Sequence, residues 1–201
     1  YDHHQFSRDH VPTCSLSLVL QDMGLYEDAR AFCDWLETAE WFDCRGAIET
    51  AKWLSVPRRA IDQLNSPMDV TLLRCFANCD RLDPDDSLWD IMQQIGQDLI
   101  DYITGMREKI EWLKENAETW TVEGESFLFI PRTKPHPENA RSGIGFYLRE
   151  SGQDKKVIGT IYPDGRGTGF GLSRYEDNQK LDFTQISDEP DVHFAHARGF
   201  L

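Results

Sequence analysis

The sequence predicts a mixed α/β protein in which a helical N-terminal region is followed by one long helix and then by a strand-rich region. Three observations predict this order. Apolar residues recur at helical spacing within residues 26–41, and a single apolar seam runs through residues 86–116. After Thr119, β-branched and aromatic runs of strand length alternate with turn residues. We therefore expect two structured regions joined by a long helix.

The N-terminal region is expected to contain four helices. They cover residues 13–24, 26–41, 47–54 and 69–80. Residues 42–46 separate the second helix from the third, and Gly46 is expected to form a turn. Pro57 ends the third helix because proline cannot continue the helical hydrogen bonds. Ser66-Pro67 is expected to begin the fourth.

The long helix has apolar residues at gaps of three and four. They are Leu88, Met92, Ile95, Leu99, Tyr102, Met106, Ile110 and Leu113. This pattern gives one apolar face along about eight helical turns. It fits a spacer helix packed between two domains, and it also fits a coiled coil that would make the protein a homodimer.

The C-terminal region is expected to contain five strands separated by Pro, Ser-Gly and Asp-Gly turns. They cover residues 120–122, 126–130, 145–148, 157–162 and 170–174. The alternating glycines of residues 165–171 lack the strand–glycine loop–helix order of a dinucleotide site, so they are expected to form a flexible turn. We accordingly divide the chain into residues 1–85, 86–118 and 119–201.

The charge of the chain excludes one class of ligand. The formal net charge is −14, and 23 of the acidic but only 11 of the basic residues lie at or before Glu118. An acidic surface repels duplex nucleic acid. Small phosphorylated ligands remain possible, because a metal ion and a few local cations can outweigh a distant field.

Cysteine use and hydropathy bear on the compartment. The five cysteines are an odd number without C-x-x-C spacing, which favours reduced thiols over a disulfide framework. No apolar run approaches the roughly 20 residues that a membrane-spanning helix needs, and no secretory signal is visible. We expect a cytoplasmic protein that does not interact with membranes.

Asp2-His3-His4 is the most specific chemical motif in the sequence. Carboxylate and imidazole are the ligands expected for Mn²⁺ and other borderline divalent metals. Together with the order of the regions, Ser173-Arg174 and Leu181-Asp182-Phe183, the triplet resembles the DHH-family phosphoesterases. The chain is most similar to their exopolyphosphatase-related and oligoribonucleotide/pAp phosphatase-like branch.

The resemblance implies a domain arrangement. Residues 1–85 would be part of a DHH catalytic domain of α/β type, mostly helical as present, and residues 86–118 a linker helix. Residues 119–201 would be a β-rich α+β DHH-associated domain that binds substrate. The family's remaining metal ligands come from strand ends before the triplet, and the chain opens at Tyr1 without methionine. We therefore expect the N-terminal part of the catalytic domain to be missing.

The resemblance also implies catalytic roles. Family members use two divalent cations, usually Mn²⁺, to activate a water and neutralise phosphoryl oxygens. His3 would ligate one ion, Asp2 would orient the His3 imidazole, and His4 would face the scissile phosphate. The downstream aspartate that shares the metal with His3 matches Asp43. Asp34 is the competing candidate, although its helical pattern places it toward solvent. A helix-capping role is the alternative for Asp43.

The end of the chain departs from the family pattern. Family members often carry a glycine-rich stretch and a histidine that hold the substrate phosphate. Here Gly199-Phe200 matches, but the glycines before it are absent. His193 or His196, with Arg198, would bind phosphate instead. The alternative is that His196 and Arg198 only alternate on a strand edge.

Arg174 matches the arginine that the associated domain presents to substrate, although a surface ion pair explains it equally. The expected function is metal-dependent hydrolysis of a small phosphorylated substrate: a short oligonucleotide, a pAp-like nucleotide, a cyclic dinucleotide or polyphosphate. The alternative is a non-catalytic DHH-like module for ligand binding or assembly, without the full set of metal ligands.

Overall fold

The computed structural model describes residues 5–7, 10–62, 67–79, 81–132, 137, 139–164, 169–176 and 178–195, without the side chain of Asp62. The chain divides into two compact units, Tyr1–Thr104 and Gly105–Leu201, and the division falls inside the long helix. The described helices are α1 (Ser15–Asp22), α2 (Tyr26–Phe32), α3 (Trp35–Trp53), α4 (Arg58–Asp62), α5 (Pro67–Ala77), α6 (Ser87–Asn116) and α7 (Ile144–Glu150). The described strands are β1 (Glu118–Val122), β2 (Glu125–Phe129), β3 (Val157–Pro163) and β4 (Phe170–Arg174). The predicted mixed α/β class is confirmed.

The N-terminal unit is helical, but its helices break at other points than predicted. The expected continuous helix over residues 26–41 is wrong. Cys33 leaves the helical conformation with φ −115° and ψ 82°, so α2 ends at Phe32 and α3 begins at Trp35. Neither glycine nor proline marks this break in the sequence.

The predicted interruption at residues 42–46 is confined to one residue. Residues 42–45 are helical, and only Gly46 departs, with φ 74° and ψ 172°. A positive φ suits glycine because no Cβ clashes with the backbone there. The Thr50 hydroxyl donates to the carbonyl of Gly46 at 2.9 Å. α3 is therefore two helical segments joined by a kink.

The long helix α6 matches its predicted bounds closely, but its apolar face is not uniformly buried. Ile103, Met106, Ile110 and Leu113 are at most 3% exposed. Nearer the start of the helix, Met92 is 42% and Ile95 52% exposed. Only the C-terminal half of the apolar face therefore lies in a core.

The C-terminal unit contains a four-stranded mixed sheet in the order β1-β2-β3-β4. β1 pairs antiparallel with β2, β2 parallel with β3, and β3 antiparallel with β4. Leu128, Ile130 and Leu148 are at most 2% exposed, so the core of this unit includes β2 and α7. The parallel pair is connected through α7, as a crossover between parallel strands requires.

The predicted strand at residues 145–148 is wrong, because this segment lies within α7. Ile144, Tyr147 and Leu148 are all buried, and their spacing of three and four places them on one helical face. Gly152, with φ 66°, follows the end of the helix. The aromatic content that suggested a strand supplies the buried face of a helix instead.

All five cysteines are free thiols. None of the helices in the described part of the chain combines the length and apolar character needed to cross a membrane.

Candidate functional site

The predicted site residues fall into two groups. Asp2, His3 and His4 lie outside the described residues, as do His196, Arg198 and Gly199. Asp43, Arg174 and His193 are described. Asp43 belongs to the N-terminal unit, and the other two belong to the C-terminal unit.

Asp43 lies on α3, three residues before the kink at Gly46, and its side chain is exposed. It therefore lies inside a helix rather than capping an end. Asp34 immediately precedes α3, is also exposed, and makes no capping hydrogen bond. Asp34 was expected within a continuous helix, but it occupies the break between α2 and α3. Both carboxylates are accessible from solvent.

The segment that follows the N-terminal triplet is hydrogen-bonded to the residues directly after Asp43. The Cys44 thiol donates to the carbonyl of Thr13 at 2.8 Å, and the amide of Thr13 donates to the Cys44 sulfur at 3.3 Å. The Arg45 guanidinium donates to the carbonyl of His10 at 3.0 Å. Residues 10–13 are thus held beside the Asp43 end of the first segment of α3.

The described residues do not by themselves form a metal site. Within the described ranges, no group of three histidine, cysteine, aspartate or glutamate side chains converges as metal ligands would. Asp43 contributes a single carboxylate. Any metal site that includes Asp43 therefore needs ligands from residues outside the described ranges.

Sequence reasoning missed a buried carboxylate in the N-terminal unit. Glu40 is 2% exposed and accepts hydrogen bonds from the Ser17 hydroxyl at 2.7 Å, the Tyr26 hydroxyl at 2.8 Å and the Arg30 guanidinium at 3.1 Å. Burial of the phenol, followed by its hydrogen bond to Glu40, raises the pKa of Tyr26 to about 12. The signal was present in the sequence, because Glu40 follows the buried Leu36 by four residues and so shares its helical face.

The Glu40 cluster is structural in character. Its three donors come from α1 and α2, and Glu40 itself lies on α3. A carboxylate that accepts three hydrogen bonds and is closed to solvent has its charge compensated. Glu40 therefore connects three helices rather than presenting a group to a substrate.

Arg174 ends β4, where it is half-buried and paired in register with Gly159. The carboxylate of Asp182 lies near the positive charge of Arg174. The Thr184 hydroxyl and amide donate to Asp182 at 2.7 and 3.0 Å and lower the pKa of that carboxyl, and the positive charge of Arg174 adds to the effect. His193 is exposed in an irregular segment near the end of the described chain.

A shallow cavity of about 280 Å³ lies in the C-terminal unit, and its lining includes the residues that directly follow Arg174 in the chain. It is lined by Asp154, Lys155, Val157, Tyr175, Glu176 and Asn178. The buried Tyr175 hydroxyl has no hydrogen-bond partner among the described residues, and burial raises the pKa of this phenol. With two acidic residues and one lysine, the cavity has no excess of positive charge for a phosphate.

Aromatic side chains that the sequence analysis did not single out cluster on one face of the sheet. The rings of Trp120 and Phe129 stack with centroids 3.9 Å apart and an interplanar angle of 18°. Phe129 also contacts Phe170, at 5.6 Å and 34°. The guanidinium carbon of Arg132 lies 5.1 Å from the centroid of the Phe170 ring. We call Trp120, Phe129 and Phe170 the aromatic face.

Comparison of the chain with protein-family models, with curated proteins and with solved structures gave no match.

Proposed function

We propose that the protein is a DHH-like, metal-dependent phosphohydrolase acting on small phosphorylated substrates. The observation that carries the proposal is the attachment of residues 10–13 to Cys44 and Arg45, directly after Asp43. His10 is the seventh residue after His3, so the chain limits the distance between their Cα atoms to about 25 Å. This distance limit is compatible with His3 and Asp43 binding the same divalent ion.

Two further features support the proposal. The Asp43 carboxylate is exposed and therefore accessible to an ion, as a metal ligand must be. Arg174 supplies a cation at the end of a strand in the second unit, as a substrate-binding domain for phosphates requires. The five free thiols fit a reducing, cytoplasmic location for this activity.

The test is a hydrolysis screen with added Mn²⁺. The substrates are a 5′-phosphorylated dinucleotide, adenosine 3′,5′-bisphosphate, a cyclic dinucleotide and polyphosphate. We expect at least one to be hydrolysed only with divalent metal. His3→Ala should remove this activity without changing the thermal melt, whereas His136→Ala, in a segment between two prolines, should retain it.

Two results would contradict the proposal. Equal activity in the wild type and in His3→Ala would exclude a role for this imidazole. A wild-type protein inactive on all four substrates with Mn²⁺ would leave the alternative, a non-catalytic DHH-like module for ligand binding or assembly.

The exposed start of α6 favours assembly within that alternative. Ile91, Met92 and Ile95 are between 40% and 52% exposed, and large apolar side chains grouped in this way often mark interaction surfaces. Association of two copies through this face would give a homodimer. Sedimentation of the wild type and of Ile95→Glu would detect it, because a buried charge would disrupt the pairing.

A further inference from the structure

β1 is an edge strand whose outer side is unpaired. It pairs with β2 on one side, and no strand in the described part of the chain pairs with its other side. All five of its residues are exposed. Natural proteins usually block such an edge with lysine, proline or a β-bulge, because its unpaired backbone groups can bind a further strand. β1 contains neither residue, and its register with β2 contains no bulge.

The turn between β1 and β2 identifies the backbone groups that face outward. Glu123 and Gly124 both have positive φ, 51° and 84°, as the two central residues of a type I′ turn do. In such a hairpin the residue before the turn, Val122, is hydrogen-bonded to the partner strand, and bonded positions then alternate along β1. The N–H and C=O groups of Thr119 and Thr121 therefore point away from β2. No other backbone group of the described residues bonds to them.

β1 is complementary to a second copy of itself in antiparallel register. When two copies meet about Trp120, Thr119 of each copy lies opposite Thr121 of the other, and four backbone hydrogen bonds can join their outward-facing groups. The two Trp120 side chains then oppose each other at a non-hydrogen-bonded position, where side chains lie closest and aromatic pairs stabilise a sheet. Glu118 lies opposite Val122 of the other copy, so no like charges are paired.

The side chains of β1 favour a second copy over an unrelated strand. Trp120 stacks on Phe129 with centroids 3.9 Å apart and donates to the Glu118 carboxylate at 2.9 Å, yet its ring is 41% exposed. A second copy brings an identical ring, held in the same way, to the opposite position. Residues 119–201 include 10 basic and 12 acidic residues, so most of the net charge of −14 lies elsewhere. Salt screens exposed charges beyond about 8 Å, so this charge opposes pairing at β1 only weakly.

We propose that two copies of the chain join through β1 and continue the four-stranded sheet of each into one sheet of eight strands. The interface is isologous, because the same strand serves both copies. Two paired strands of five residues bury less surface than a stable interface does, so the association is weak and depends on concentration. This inference is independent of the hydrolase proposal, and it uses a different element from the exposed start of α6.

The test is sedimentation velocity of the chain over an about 100-fold range of concentration, across which we expect the wild type to shift from monomer to dimer. Thr121→Pro removes an outward-facing N–H and leaves the bonds to β2, because proline is tolerated at such a position of an edge strand. It should weaken dimerisation by about 10-fold or more, since the dimer loses two hydrogen bonds. Ile95→Glu, on α6, is the control and should dimerise as the wild type does.

Two double variants test the register without using proline. Thr119→Lys/Thr121→Lys places lysine opposite lysine twice in the dimer, whereas Thr119→Lys/Thr121→Glu places lysine opposite glutamate twice. We expect the lysine–glutamate variant to dimerise at least about 10-fold more tightly, because opposite charges across strands stabilise and like charges destabilise. Overall charge predicts the reverse order, since two added lysines reduce the net negative charge of each copy.

Amide hydrogen exchange gives a second measurement. The Thr119 and Thr121 amides should become protected as concentration rises, whereas the Trp120 and Val122 amides, bonded to β2, should be protected throughout. A wild type that stays monomeric at every concentration would overturn the inference, as would equal dimerisation of the two double variants. Dimerisation that Ile95→Glu abolishes and Thr121→Pro retains would also overturn it, and would assign the interface to α6.

Discussion

The Ser17 hydroxyl donates a 2.7 Å hydrogen bond to the Glu40 carboxylate, and neither residue is more than 2% exposed. Arg30 is the cation that compensates the charge of Glu40, and its side chain is 31% exposed. The same guanidinium pairs with Glu37 at 3.1 Å, where the carboxylate is 46% exposed. One arginine therefore bridges a buried and an exposed glutamate, which provides a matched pair for mutation.

Glu40→Gln should lower the free energy of unfolding by about 2 kcal/mol, because hydrogen bonds to a buried charged group are lost. Glu37→Gln should change it by less than about 1 kcal/mol, because solvent screens an exposed ion pair. Urea unfolding measures both. Similar losses in the two variants would mean that Glu40 is not the centre of the helical contacts.

The high pKa of Tyr26 predicts a loss of stability at alkaline pH. The native state holds this proton up to about pH 12, whereas the unfolded chain releases it near its ordinary pKa of about 10. The contribution of Tyr26 is therefore complete below pH 10 and declines as the pH rises toward 12. The melting temperature of the wild type should fall toward that of Tyr26→Phe between pH 10 and 12. A constant difference over this range would contradict the assignment.

Asp43 and Asp34 can be distinguished by paired substitutions. If Asp43 is the downstream metal ligand, Asp43→Asn should reduce Mn²⁺-dependent hydrolysis by about 100-fold or more, since even residues that only orient ligands contribute 10- to 100-fold. Asp34→Asn should retain activity. Because both carboxylates are exposed, the two variants should melt close to the wild type. The reverse ranking of activities would assign the role to Asp34.

Arg174→Ala should raise KM more than it lowers kcat, because a cation that holds the substrate phosphate equally in ground and transition states contributes uniform binding. A charge-assisted hydrogen bond corresponds to a roughly 10-fold or larger change in KM. Arg149→Ala is the matched control, because this guanidinium lies over the Phe146 ring on α7 at 4.6 Å. Loss of kcat alone would indicate a transition-state role for Arg174.

Long patterns were the most predictable part of the fold. The eight apolar positions recur along a helix of 30 residues, so local irregularities could not obscure the period. The run at residues 145–148 is too short to distinguish helix from strand, and its aromatic residues favoured the wrong choice. The break at Cys33 has no glycine or proline to mark it, so no local sequence signal predicted it.

The candidate site was less predictable than the fold. The spacing of Glu40 from Leu36 indicated burial, but its partners Ser17, Tyr26 and Arg30 lie in other helices and had to be seen in three dimensions. The attachment of Thr13 to Cys44 spans 31 residues and has no local signature. The roles of Asp2, His3, His4, His196, Arg198 and Gly199 remain predictions.

The parallel pairing of β2 with β3 has a consequence for how the second unit forms. β1 and β2 are joined by a two-residue turn at Glu123-Gly124, so they can pair locally. The central pair must first close a chain of 27 residues that contains α7. We expect the middle of the sheet to assemble after its β1–β2 hairpin, because closing the longer connection costs more conformational entropy than closing the two-residue turn.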